Sequence, residues 1–226
     1  MKKMKQENEC LEIRLHQLID NGEENEAIKL IDENKDIDIN YEYNDRILVL
    51  SAINNKMFDL FVKIINHPKF NSNIKDAFSE TLLETLIYLY GSDDISESKD
   101  NEDLCKRMIE AILKLDSYDF NCKDLNEDTA INIACEYPKM LWIVEALAAK
   151  ENVDINIVND FDCAALGNAI RNKNLEAIKI LSKRKDLNVR VADVEMAKKY
   201  NVDLSEYGIE IAKKLKKAHD YAFKTV

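Results

Sequence analysis

The sequence predicts an all-α solenoid of about five to six helix-pair repeats, because three phrases recur in one order at a similar spacing. The first phrase is Asp or Asn, one apolar or small residue, then Asn; it occurs at 38–40, 71–73, 119–121, 154–156 and 186–188. The steps between its closing Asn residues are 33, 48, 35 and 32. The other two phrases pair 26–31 with 176–181 and 52–56 with 169–173. In such an array each repeat buries its apolar side against its neighbours.

The composition is that of a globular, helix-rich chain. Of its 226 residues, 46% are hydrophobic and 33% are charged, which separates it from disordered proteins. The chain holds four glycines and two prolines, too few for the many tight turns of an all-β protein. Helices joined by short polar corners are therefore predicted.

A net charge of −11 restricts the partners that we expect. Nucleic acid and anionic membrane surfaces attract basic proteins, so neither is expected to bind this chain. No apolar run reaches the length of a membrane span, and the first 20 residues lack the apolar core of a signal peptide. A cytoplasmic protein is expected, with secretion without a cleaved signal left open.

Residues that carry chemistry are scattered rather than clustered. The five cysteines, an odd number without a Cys-x-x-Cys pair, predict free, mostly buried thiols in a reducing compartment. Cys135 and Cys163 fall near predicted repeat cores, where cysteine acts as a small hydrophobic residue. The histidines, at 16, 67 and 219, have no ligand spacing and are expected on the surface or in loops. No Gly-rich phosphate loop occurs, and we predict no catalytic residue, cofactor or metal site.

Six units are predicted along the chain, at 9–37, 38–70, 71–118, 119–153, 154–185 and 186–226. In the first, apolar residues at helical spacing around Leu15 predict a helix that ends at Asn21 and Gly22, since Gly readily adopts the left-handed conformation. In the second, we expect the first helix at about 46–55 and a second helix that ends before Pro68.

The third unit carries a capping box at Thr81 and Glu84, whose side chains would satisfy free amides at a helix start. Gly91 is expected to end that helix, and 91–103 is interpreted as an acidic loop inserted into the repeat. The array can tolerate such a loop, because each doubling of loop length costs only about 0.6 kcal/mol. A second helix resumes at Leu104.

In the fourth unit, Thr129 is expected to cap the first helix and Pro138 to separate the two helices. The fifth unit has a small apolar helix centred on Leu166, followed by an amphipathic helix. The last unit, from about 193, is expected to have a shorter first helix and then a lysine-rich cap helix at 205–221. One face of that end helix would be in water.

A core is predicted from the positions that repeat between units. Small residues at Ala52, Ala134 and Ala169 would let neighbouring first helices approach closely. Leu166 and Ile178 are expected to be buried, and Trp142, one residue from the core-facing side, to be partly buried.

The phrase Thr-Ala-Ile-Asn-Ile-Ala at 129–134, followed by an amphipathic helix and Asp-Ile-Asn at 154–156, resembles the ankyrin repeat. That family's pattern is Thr-Pro-Leu-His-x-Ala, a second helix ending in Leu-Leu, then Asp-Val-Asn and a hairpin-like loop. Partial matches lie at 164–169, 81–86 and 47–52. The family's Pro and His are absent from this chain's phrases. The resemblance covers nearly the whole chain and implies an ankyrin-type solenoid with hairpin-like loops and terminal caps.

Helix-pair repeats of the HEAT or tetratricopeptide type are the alternative fold. The Asp-x-Asn corners and the short first helices favour the ankyrin type.

By resemblance, ankyrin arrays bind proteins along a concave face made of loop tips and the exposed side of each first helix. Carried onto this chain, the tips are Tyr41, Tyr43, Asn44, Lys75, Asp76, Lys123, Asp124, Val158, Asn159, Asp160 and Phe161. The helix side would offer Ser51, Asn55, Asn132, Glu136, Asn168, Arg171 and Asn172. Aromatic and Arg residues commonly anchor interfaces, so the expected anchors are Tyr41, Tyr43, Phe161 and Arg171.

The resemblance and the missing chemistry together predict a non-enzymatic scaffold for a protein partner, with some basic character because the chain is acidic. Two alternatives remain open: an enzyme or a regulatory fragment of an enzyme complex, and a structural module that self-assembles through exposed cap surfaces. A monomer is expected rather than an oligomer. The insertion at 91–103 and the lysines at 213, 214, 216 and 217 are interpreted as solvated surface, with partner contact as the alternative.

Overall fold

A computed structural model describes residues 10–76, 79–91 and 99–207, with the side chains of the last range from residue 100. The chain divides into two compact units. Unit 1 consists of residues 1–77 and 93–118, and unit 2 of residues 78–92 and 119–226. In chain order the elements are α1 (Leu11–Asp20), α2 (Glu24–Glu33), β1 (Glu42–Tyr43), β2 (Arg46–Ile47), α3 (Leu48–Asn54), α4 (Phe58–Ile65), α5 (Leu82–Gly91), α6 (Lys99–Ile112), α7 (Ala130–Ala134), α8 (Leu141–Ala148), α9 (Ala165–Arg171), α10 (Leu175–Leu181) and α11 (Val191–Tyr200).

Unit 1 stacks its helices in two layers. Helix α1 packs on α2, and α3 packs on α4, so each repeat is a helix pair. Between pairs, α1 contacts α3, while α2 contacts α4 and α4 contacts α6. First helices therefore form one layer and second helices the other. This arrangement confirms the predicted all-α class of stacked helix pairs.

A β-hairpin precedes α3 in unit 1. Its strands pair antiparallel with Tyr43 opposite Arg46. Asn44 and Asp45 between them have φ angles of 52° and 59°, as in a type I′ turn, and Asn and Asp tolerate that conformation. The predicted helix start at Arg46 is wrong by two residues, because the turn draws Arg46 and Ile47 into a strand.

Unit 2 has the same two-layer arrangement. Helix α7 contacts α5 and α9, and α9 also contacts α11, which makes the layer of first helices. Helices α8 and α10 contact each other and pack on α7 and α9 respectively. A short 3₁₀ turn, Pro138–Met140, leads into α8, so Pro138 separates the two helices as predicted.

The predicted core residues are buried. Ala52, Ala134 and Ala169 have no exposed surface, and Leu166 and Ile178 are at most 1% exposed. Burial of an aliphatic side chain such as Leu or Ile contributes about 1.5–3 kcal/mol. Small residues in the first-helix layer and larger ones beside them therefore supply the packing that the repeat pattern implied.

Two predicted helix-end residues are confirmed, and one predicted cap is not. After α1, Gly22 takes a φ of 78°, the left-handed conformation that Gly adopts without a steric cost. Before α5, Glu84 accepts a hydrogen bond from the amide of Thr81 at 2.7 Å, as a capping box requires. Thr129 occupies the N-cap of α7, but its buried hydroxyl makes no hydrogen bond within the described part of the chain. The predicted side-chain cap is wrong there, because this side chain lies in the core.

Three further expectations are corrected. Helix α11 has ten residues and is not shortened. It begins at Val191, before the predicted start at about 193, because Asp193 accepts a hydrogen bond from the amide of Arg190 at 2.8 Å and so caps the first turn. Residues 99–103, assigned to the acidic loop, are the start of α6, where Asp and Glu are favourable in the first turn. His16 is fully buried on α1 rather than at the surface.

Other expectations lie outside the described residues: the central part of the insertion (92–98), His219, and the lysine-rich helix beyond residue 207. Across the described ranges, no helix is long and apolar enough to cross a membrane.

Candidate partner-binding surface

The Asp-x-Asn corners are closed by their own side chains. In each of four corners, the side-chain oxygen of the first residue accepts a hydrogen bond from the amide two residues later. These bonds join Asp38 to Asn40 (3.0 Å), Asn71 to Asn73 (3.1 Å), Asp119 to Asn121 (2.9 Å) and Asp154 to Asn156 (2.9 Å). This is the Asx-turn, which only Asp and Asn supply in this form.

The closing Asn then joins one corner to the next within a unit. The Asn121 side chain donates to the carbonyl of Asn152 and accepts from the amide of Asp154, both at 2.8 Å. The Asn156 side chain does the same one repeat later, at 3.0 and 2.8 Å, and that of Asn40 in unit 1, at 2.7 and 2.8 Å. The sequence predicted that these Asn residues recur, but not that each amide bridges two repeats.

A second polar side chain shapes each loop tip of unit 2. The Asp124 carboxylate accepts hydrogen bonds from the amides of Asn126 and Asp128 at 2.8 and 2.9 Å. The Asn159 side chain closes the next tip in the same way, with bonds of 3.0 and 2.9 Å. The amide of Asp160 donates to the carbonyl of Asn126 at 3.0 Å. The two tips are therefore held side by side.

A buried polar cluster lies between these tips and the first helices. The carboxylate of Asp128 accepts from the side-chain amide of Asn159 at 2.7 Å and that of Asn168 at 3.4 Å. Asn168 also donates to the carbonyl of Asn132 at 3.1 Å. Burial raises the pKa of Asp128 above its usual value, and the bond from Asn159 opposes the rise. The cluster ties the two tips to α7 and α9.

The predicted contact residues divide by exposure. The exposed ones are Asn44, Asn55, Lys75, Val158, Asp160, Phe161 and Asn172. The half-buried ones are Tyr41, Tyr43, Asp76, Lys123, Glu136 and Arg171. The buried ones are Ser51, Asp124, Asn132, Asn159 and Asn168. Direct partner contact is the wrong interpretation for the buried five, because their side chains lie inside the fold, and all but Ser51 belong to the polar bonds just described.

An apolar centre lies on the paired tips of unit 2. Phe161 and Leu125 are each 63% exposed, and Val158 is 38% exposed. We call residues 123–127 and 158–162 the hairpin-tip surface. Leu125 was missed by the sequence reasoning. The sequence could have identified it, because a large apolar residue stands directly after the Asp that closes a tip, where a polar residue would be expected.

The cations at the hairpin-tip surface are paired with carboxylates, so the surface as a whole stays acidic. Lys123 pairs with Glu127, and Arg190 pairs with Asp162, each at 2.5 Å. The carboxylate of Asp160 makes no such pair with any residue that the structure describes. An unpaired acidic group therefore stands beside Phe161.

The other expected anchors are tied to neighbours inside their own units. Arg171 pairs with Glu136 at 2.5 Å. The ring of Tyr43 lies 5.7 Å from that of His16, and His16 Nε2 lies 3.3 Å from the carbonyl oxygen of Tyr41. Phe161 is thus the predicted anchor with the largest free apolar surface.

Three of the five cysteines lie inside the fold. Cys105, Cys135 and Cys163 are buried, which confirms the expectation of mostly buried thiols. Burial raises the pKa of the Cys135 thiol and also that of Cys163, so neither is a ready thiolate nucleophile. No group of three or more His, Cys, Asp or Glu side chains is arranged to hold a metal ion within the ranges that the structure covers.

A family model described as ankyrin repeats, in three copies, matches residues 94–191. This stretch of the chain therefore carries ankyrin repeats. This match confirms the resemblance and the ankyrin-type, all-α solenoid class. A search of the curated proteins finds no match to this chain. Ankyrin repeats generally mediate protein–protein interaction and are typically non-enzymatic, so the repeats indicate a protein partner without naming it.

Proposed function

We propose that this ankyrin-repeat protein is a non-enzymatic scaffold that binds a protein partner through the hairpin-tip surface of unit 2. The observation that carries the proposal is the pair Leu125 and Phe161, each 63% exposed on adjacent tips. Apolar groups of this size are costly to leave in water, and aromatic residues anchor many interfaces.

The tips are also ordered before any partner arrives. Asp124 and Asn159 each close a tip with two backbone hydrogen bonds, and a backbone bond links the tips. A surface fixed in this way loses little conformational entropy on binding, which favours affinity. The polar network beneath the tips thus supports function, although its members do not touch the partner.

The chemistry of the surface sets the chemistry of the partner. An apolar pocket or patch on the partner would cover Leu125 and Phe161, and a Lys or Arg beside it would pair with Asp160. A basic partner also agrees with the net charge of −11, because long-range attraction speeds association with an oppositely charged surface. In an ankyrin array these tips would belong to the concave face.

A matched pair of variants tests the proposal. Leu125→Ser with Phe161→Ser removes the apolar centre. Leu175→Ser removes another exposed apolar residue, 47% exposed, from the second-helix layer on α10. Proteins crosslinked to tagged wild type in cell extract would be quantified by mass spectrometry. We expect the double variant to lose a specific partner that Leu175→Ser retains; retention by both, or equal loss from both, contradicts the proposal.

Two further measurements make that result interpretable. Circular dichroism melts must show that the variants stay folded, as expected for exposed positions. Sedimentation over a concentration range tests whether the apolar centre pairs two copies of the chain instead. We expect a monomer at every concentration, and a dimer abolished by Phe161→Ser would replace the partner proposal with self-assembly.

A further inference from the structure

A second surface lies in unit 1, in the layer of second helices. A groove of about 390 Å³ runs between α4 and α6 and the turn that follows α6. Phe58 and Val62 line it from α4, and Ala111 and Leu115 line it from the other side. All four residues are half-buried, so the groove has an apolar floor that is open to solvent.

The sequence of α4 explains this floor. Six of the eight residues in Phe58–Ile65 are apolar, but only Leu60, Phe61, Ile64 and Ile65 are buried. Phe58 and Val62 are four residues apart, so they share one further stripe of the helix. A helix that is apolar on more than one side requires a second covering surface. Helix α6 covers only part of this stripe, and the uncovered part forms the floor of the groove.

Two cationic side chains line the groove. The guanidinium carbon of Arg107 lies 3.8 Å from the centre of the Phe58 ring, and Lys114 is the second cation of the lining. Neither side chain makes an ion pair with a residue in the described ranges. Lys114 follows Arg107 by seven positions and lies in the turn directly after α6; seven helical steps correspond to about two turns, or about 11 Å. Glu110, which lies between them in the sequence, also lines the groove.

We infer that this groove binds an acidic amphipathic helix of a protein partner. Two carboxylates seven residues apart on that helix would pair with Arg107 and Lys114. Apolar side chains between the carboxylates would fill the floor over Phe58 and Val62, in the helix-in-groove mode of recognition. Glu110 repels a carboxylate at the centre and so selects helices whose acidic residues are at the ends.

This surface goes beyond the proposed function, because it belongs to the other unit and to the other helix layer. It also takes a partner of opposite charge. The hairpin-tip surface calls for a basic group, whereas the groove calls for carboxylates. One protein could therefore hold two different partners.

A designed peptide tests the groove with the full-length protein. The probe is a fluorescein-labelled, alanine-based helix of about 18 residues, long enough to be helical, with two Glu residues seven apart and two Leu residues between them. The control peptide has Lys in place of both Glu. We expect saturable binding by anisotropy for the Glu peptide alone, with amide shifts in NMR spectra confined to α4 and α6.

Protein variants then assign the contacts. Arg107→Glu with Lys114→Glu should weaken binding by at least about tenfold, which corresponds to 1.4 kcal/mol. Lys183→Glu changes an exposed lysine of unit 2 and should leave binding unchanged, as should Leu125→Ser with Phe161→Ser. Absence of saturable binding, equal binding of the Lys peptide, or an equal effect of Lys183→Glu would overturn the inference. Amide shifts at the hairpin tips instead of α4 and α6 would also overturn it, while leaving the proposed function in place.

Discussion

The side chain of Asn121 accepts a hydrogen bond from the backbone amide of Asp154 at 2.8 Å. Its amide nitrogen donates at the same time to the carbonyl of Asn152. One side chain therefore satisfies a donor and an acceptor in the next repeat. Asp lacks the donor and Ser cannot span both groups, which explains why Asn closes each corner.

Removing this bridge should destabilise the stack. We expect Asn121→Ala and Asn156→Ala each to lower the free energy of unfolding by about 1–3 kcal/mol, because each deletes two hydrogen bonds and leaves backbone groups unpaired. Urea unfolding measures the loss. Asn152→Ala is the control, since Asn152 contributes its backbone carbonyl to the bridge; a loss as large as that of Asn121→Ala would contradict the assignment.

Asp128 should make stability depend on pH. Burial raises its pKa in the fold, so the native state binds more protons than the unfolded state between the ordinary carboxyl value and the raised one. The free energy of unfolding therefore falls as the pH rises through that window. We expect Asp128→Asn to be more stable than wild type at pH 7, and the difference to disappear below about pH 4.

The surroundings of Asp128 favour that substitution. The side-chain oxygens of Asn132 and Asn168 are buried without a donor in the described structure, and an Asn at 128 would bring an amide donor to them. Asp160→Asn makes the same change at an exposed position and is the matched control. A pH-dependent gain of equal size at 160, or none at 128, would show that burial of Asp128 is not the cause.

His16 gives a pH dependence of opposite sign. Burial lowers its pKa, and the hydrogen bond to the carbonyl of Tyr41 opposes that effect. Stability from the neutral ring is complete above about pH 6.5 and is lost as the pH falls below that value, because the unfolded chain takes up the proton first. His16→Gln should flatten the stability profile between pH 7 and 5, with His67→Gln as the loop control. An unchanged slope in His16→Gln denaturation series would exclude this role.

Core truncations test the packing between layers. Leu166→Ala and Ile178→Ala should each cost about 2–5 kcal/mol, because both side chains are fully buried and leave cavities. Leu175→Ala removes an exposed leucine of the same repeat and should change stability by less than about 0.5 kcal/mol. Thermal melts that rank Leu175→Ala with the core variants would contradict the assigned layers.

Much of the fold was predictable because recurring Asp, Asn and Gly residues mark the corners and helix ends of the repeats. Asn21 and Gly22 follow the end of α1, as predicted, and apolar spacing identified Leu166 and Ile178 as core residues. The start of α3 was not predictable to the residue, since the Asn44–Asp45 turn had to close a hairpin before the helix began. The hydroxyl of Thr129 failed as a cap because tertiary packing placed it in the core.

The candidate surface was harder to predict than the fold. Phe161 was identified from its residue type and loop position, yet Asn132 and Asn168 were assigned to the same surface. A polar residue on a first helix can be exposed for a partner or can make hydrogen bonds inside the fold. Residue spacing alone does not distinguish these two roles. Their side chains donate hydrogen bonds to backbone carbonyls of the neighbouring repeat, Asn132 to Ile157 and Asn168 to Asn132, which assigns both residues to the interior.

Hydrogen exchange on the complex with the captured partner tests the central claim most directly. We expect slower amide exchange on binding at 124–128 and 159–163, with Phe161→Ser abolishing both the protection and the complex. Protection confined to α8 and α10, with exchange at the two tips unchanged, would contradict the account.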